Sequence, residues 1–139
     1  MTSIRPQYLL RSALLGVALF LSLVAPVAAQ DLLPGFGDAR DPDVLATMLD
    51  RQPEAFRLID VRTAGEFAAG HIPGAENIDY RVIGTELSAA DRDQPIVVYC
   101  RSGNRSGQAA RTLRSLGFTA VADFGAVGRW NGPLVEGSR

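Results

Sequence analysis

Ile96-Val97-Val98-Tyr99-Cys100-Arg101-Ser102-Gly103-Asn104-Arg105-Ser106 decides how this chain is read. Its first half is apolar without alternation, as expected of a central strand of a parallel sheet that is covered on both faces. The segment after the loop reads as a helix, with Ala109, Leu113 and Leu116 at i, i+4 and i+7 and Gly117 ending it. Cys100, the only cysteine, falls where the strand runs out, and open α/β sheets collect ligands beyond the carboxyl ends of their strands. Gly103 lets the backbone curl, so that successive N–H groups converge at a helix start and favour an anion. A thiolate is such an anion, and the same setting lowers a cysteine's pKa from about 8.5 toward the reactive range. Arg101 and Arg105 add long-range attraction for a charged substrate. Ser102 and Asn104 offer side-chain hydrogen bonds, although both also suit a tight turn.

Working outward, strands and helices alternate. Asp41 caps a helix that has Pro42 at its first position and Val44, Leu45, Met48 and Leu49 as its apolar stripe. Residues 57–61 form a short strand, and Thr63 with Glu66 forms a capping box for a brief helix that stops at Gly70. Ile72-Pro73-Gly74-Ala75 is turn chemistry, followed by a strand over residues 75–79. Residues 86–90 suggest a helical turn and 91–95 a loop; a last strand is expected over 119–122, then a turn or short helix over 125–130. This order predicts an α/β domain with a mainly parallel sheet of four to five strands and helices on both faces.

The N-terminus differs from the rest. Arg5 and Arg11 are the only charges before Asp31, residues 12–30 are uncharged, and Pro26 precedes the small run Val27-Ala28-Ala29. That is the layout of a secretory signal peptide over residues 1–29; an uncleaved anchor is the alternative, since the run approaches the ~20 residues a spanning helix needs. The expected organisation is therefore signal peptide 1–29, leader 30–40 and one domain over 41–139. The domain is expected in the periplasm, free of the membrane after cleavage and monomeric. Of the 14 arginines, 12 remain beyond residue 29 against 15 acids, a formal charge of −3, with no lysine anywhere. Such a surface does not suit nucleic acid, whose binding rests on phosphate neutralisation. One cysteine forbids an internal disulfide, and one cysteine with one histidine cannot close a zinc site, so neither metal nor cofactor is expected.

Two separate motifs carry a family resemblance. Leu58-Ile59-Asp60-Val61-Arg62, Glu66-Phe67, Gly70-His71-Ile72-Pro73-Gly74-Ala75 and Asn77-Ile78 resemble the first signature of the rhodanese family. Val97 to Ser106 resembles its active-site loop, and Phe124-Gly125-Ala126 with Trp130 its closing motif, with Ala126 where a second glycine is common. As an exported single-domain chain it resembles the periplasmic phage-shock-type sulfurtransferases. The resemblance implies a rhodanese-like fold and sulfane-sulfur transfer. Cys100 attacks a small anionic donor such as thiosulfate and keeps a persulfide, cradled by the N–H groups of Arg101, Ser102, Gly103, Asn104 and Arg105. Cyanide or a thiol then accepts the sulfur. The resemblance also implies a folding role for His71 and an ion-pair network of Asp60 and Arg62 beneath the loop. Capping accounts for Glu66 at this level.

Two other functions compete. Phosphatase or arsenate chemistry needs five residues between the cysteine and a forked arginine, whereas Arg105 follows Cys100 after only four. The shorter loop makes a cradle suited to one sulfur atom and cramped for phosphate. A persulfide carrier without fast turnover would use the same thiol, and only kinetics separates it from the enzyme.

Overall fold

The computed structural model describes residues 33–138; the expected signal segment and the start of the leader lie outside them. The strand quoted first is β3 (Ile96–Cys100), and every one of its residues is buried. Alternation sorts them: Val97 and Tyr99 enter one apolar cluster, while Ile96, Val98 and Cys100 enter the other. β1 (Arg57–Asp60) and β4 (Val121–Ala126) flank it, and β2 (Glu76–Asn77) adds a short edge beside β1. All pairings are parallel and the order is β2-β1-β3-β4. The expected α/β sheet is therefore present with four strands.

Helix α1 (Pro42–Arg51) starts as its sequence predicts: the Asp41 carboxylate accepts hydrogen bonds from the N–H groups of Asp43 and Val44. Leu45 and Met48 pack into the cluster with Leu58, Val97, Tyr99 and Phe124. Helix α2 (Ala64–Ala68) has the predicted capping box between Thr63 and Glu66. The turn after it is closed by Ala75 N–H to Ile72 O at 3.1 Å, with Gly74 at φ 81°. On the opposite face, α3 (Ile83–Glu86) and α4 (Asn104–Ser115) bury Ile83, Ala109, Ala110 and Leu113 against Ile59, Val61 and Val98. Helices thus cover both faces.

Three local expectations are corrected. The helical turn lies at Ile83–Glu86, earlier than expected, because Ile83 reaches the core while Ala90 only borders it. Leu116 does not complete the α4 stripe: it occupies the C-cap and is 38% exposed, and Ala110 takes its place in the core. β4 begins two residues later than expected and runs on to Ala126. Val98 faces Asp123 but Tyr99 faces Gly125, so Phe124 is an extra residue in the ladder. Gly125 adopts φ 92°, which lets the strand bulge while Phe124 stays fully buried.

Candidate active-site loop and its supports

Cys100 closes β3, and residues 101–103 turn directly into α4, with Gly103 at the N-cap and φ 95°. A side chain there would be strained by that φ, and a Cβ would stand 3.7 Å from Gly125 Cα. The bulge in β4 thus backs the loop with a second glycine. Gly103 N–H donates to Cys100 Sγ at 3.0 Å, and Ser106 Oγ lies 3.5 Å from the sulfur. The Ser106 hydroxyl also reaches Gly103 O at 3.1 Å. While the sulfur is protonated it donates to Ser106 Oγ, and the hydroxyl proton goes to Gly103 O. Once the sulfur ionises, the hydroxyl can turn to it.

Burial pushes the Cys100 thiol up; the Ser106 hydroxyl and the N–H groups of Ser106, Ser102 and Gly103 pull it down by more, so its pKa falls below 9.0. Cys100 nonetheless has no exposed surface and borders Val98 and Ala109 in the core. The sulfur sits at the base of the loop, against Gly103 N–H and Ser106 Oγ. Its direct partners are polar, which separates it from an inert apolar filler.

The residues expected to hold substrate are spread over this loop in different ways. Arg101 and Ser102 are exposed. Asn104 accepts from Gln108 Nε2 at 2.7 Å, so its side chain is engaged along the helix. Arg105 turns to Glu66: Nη1 meets Oε2 and Nη2 meets Oε1, each at 2.7 Å. Glu66 also accepts from Thr63 N–H at 3.1 Å and Thr63 Oγ1 at 3.0 Å. Capping therefore does not exhaust its role, because the same carboxylate ties α2 to the active loop. The Arg105 guanidinium holds the Glu66 carboxyl down at about 2, against burial.

At the end of β1, Asp60 is fully buried and receives Arg62 Nη2 at 2.6 Å; that nitrogen also reaches Gly70 O at 2.7 Å. Asn77 Nδ2 bridges Asp60 O and Arg62 O, both at 2.9 Å. Tyr99 OH accepts from Ile72 N–H at 3.1 Å, and burial together with the Asp60 charge raises its pKa. His71 Nδ1 lies 2.9 Å from Phe67 O, which can only accept, so that nitrogen carries the proton. The ring stacks on Phe67 at 3.6 Å, and the His71 backbone pairs with Val135. These contacts give His71 a structural place. Among the described residues, no group of three or more His, Cys, Asp or Glu side chains that could hold a metal ion comes together.

An open depression of about 320 Å³ lies beside Arg101, lined also by Arg62, Glu66, Ala69, Val127 and Leu134. Residues 41–126, from the cap of α1 to the end of β4, match the rhodanese-like domain. The chain belongs to that family.

Among its rhodanese-like relatives, a thiosulfate sulfurtransferase GlpE of Pseudomonas fluorescens is 44% identical over 64 residues, 46% of this chain and 59% of that protein. An uncharacterized protein, YqhL of Bacillus subtilis, is 39% identical over 79 residues, 56% of this chain and 63% of its own length. The chain thus spans about 60% of the length of these curated relatives. A solved rhodanese with anions from E. coli superposes with TM-score 0.56 at 32% identity, covering 60% of this chain and 100% of that one. The roles of two of the site's supports were not legible in the loop motif. Ser106 closes the quoted motif, but its place in the first turn of α4 is what turns its hydroxyl to the sulfur, and Glu66 lies 39 residues upstream of Arg105. The spacing of the capping box hid the second partner of Glu66.

Proposed function

We propose that this rhodanese-like protein is a sulfurtransferase that moves sulfane sulfur through a persulfide on Cys100. The observation that carries the reading is the hydrogen-bonded sulfur at the end of β3, with Gly103 N–H at 3.0 Å and Ser106 Oγ at 3.5 Å. The names of the GlpE relatives support thiosulfate as donor. In the first half-reaction the thiolate attacks the outer sulfur of thiosulfate. A new S–S bond forms, the old one breaks, and sulfite leaves with the bonding electron pair. In the second, cyanide attacks the outer sulfur of the persulfide and departs as thiocyanate, returning the thiolate; a thiol acceptor would leave as its own persulfide. Two half-reactions on one nucleophile imply ping-pong kinetics.

Sulfite leaves readily as an anion, so the reading asks for no general acid. Exposed Arg101 is the group in this loop suited to draw the sulfonate end of the donor toward the mouth. The layout of residues 1–29 supports export to the periplasm, and the reading has the released domain acting as a monomer.

Intact-mass measurement after incubation with thiosulfate tests the proposal. The protein should gain the mass of one sulfur atom and lose it on adding cyanide, and Cys100→Ser should gain nothing while remaining folded. Absence of the adduct in the unaltered protein, or its persistence in Cys100→Ser, would overturn the assignment. Loading without repeated turnover would favour a carrier over an enzyme.

A further inference from the structure

Arg105 carries the kind of side chain that grips tetrahedral oxyanions, since its planar fork matches two oxygens of phosphate or sulfate as well as those of a carboxylate. In this fold the fork is already filled. Both terminal nitrogens meet Glu66 at 2.7 Å, in a pair whose side chains are 25% and 29% exposed. Glu66 is itself held, because Thr63 donates to Oε2 from its N–H and its hydroxyl. It also lines an open depression shared with Arg101. Arg62, the other guanidinium there, is committed to Asp60.

We propose that Glu66 determines the anion specificity of the active loop, by occupying the Arg105 fork that a tetrahedral oxyanion would otherwise take. Phosphate and sulfate, and the sulfite released in turnover, then meet Arg101 alone at the rim and leave readily. The persulfide keeps the N–H cradle to itself. A carboxylate fixed by a helix cap is an internal competitor at high effective concentration, so external anions at ordinary concentrations do not displace it. The inference deepens the sulfur-transfer reading and rests on it for the identity of the site.

Isothermal titration calorimetry with inorganic phosphate, and separately with sulfate, tests it without any turnover. Glu66→Gln keeps a cap acceptor but gives up the charge, and should bind phosphate about tenfold more tightly than the unaltered protein. Glu66→Asp keeps the charge but falls short of both nitrogens, and should gain less in the same direction. Adding Arg105→Ala to Glu66→Gln should return the affinity to its starting value. Thr63→Ala, which loosens the cap but leaves the fork filled, should gain nothing.

The proposal is overturned if neither Glu66 variant gains affinity. It is equally overturned if the gain survives loss of Arg105, or if Thr63→Ala gains as much. Loss of sulfur transfer in the unaltered protein would sink the proposed reaction and leave these binding results standing.

Discussion

Burial alone would make Cys100 a poorer acid than a free thiol, and the donors converging on its sulfur reverse that direction. Hydrogen bonds to a charged group are the stronger kind, about 1.5–3 kcal/mol each. Ser106 supplies two of these donors, its hydroxyl and its N–H, and only the first depends on the side chain. Ser106→Ala should therefore raise the thiol midpoint, read from the ultraviolet absorbance of the thiolate during a pH titration. The sign is fixed: the thiolate fraction grows as pH rises through the lowered midpoint, so the variant should reach full reactivity only at higher pH. An unchanged midpoint would mean that the backbone N–H groups carry the whole effect.

At the scale of elements, the loop depends on how two neighbouring pieces of backbone fit. Gly103 and Gly125 both have positive φ, 95° and 92°, and face each other across the end of β3 and β4. The bulge at Phe124 brings Gly125 opposite Tyr99. Gly125→Ala should cost about 1–2 kcal/mol through backbone strain alone. A Cβ there is not crowded, since its nearest neighbour would be Arg129 Cδ at 3.9 Å. Denaturant unfolding measures the cost. The same substitution should slow sulfur loading, because the shifted bulge no longer backs Gly103.

Across the whole molecule, the Glu66–Arg105 pair joins the first half of the sheet to the loop that follows β3. The Glu66 carboxyl titrates near 2 in the fold against an ordinary 4.5, so its stabilisation is present above pH 4.5 and disappears as pH falls toward 2. Stability measured against pH should show Glu66→Gln below the unaltered protein at neutral pH, with the two curves converging over that interval. The gap should also shrink in high salt, because both side chains are partly exposed. A constant gap down to pH 2 would assign the effect to cap geometry rather than charge.

How much was legible in the sequence follows from the range of each interaction. Caps, turn glycines and strand alternation act over a few residues, so Asp41, Thr63, Gly74, Gly117 and the covered strand ending in Cys100 were readable directly. Those signals fixed the alternating α/β order and put the thiol at the head of a helix. Local pattern could not say that Phe124 would be squeezed out of register, that Leu116 would be left at the surface, or that the sulfur would be wholly covered. Nor could it show Glu66 filling the fork of Arg105. Each of these is settled by packing between segments distant in sequence, where burial and charge pairing outweigh local preference, and only the folded chain brings those segments together.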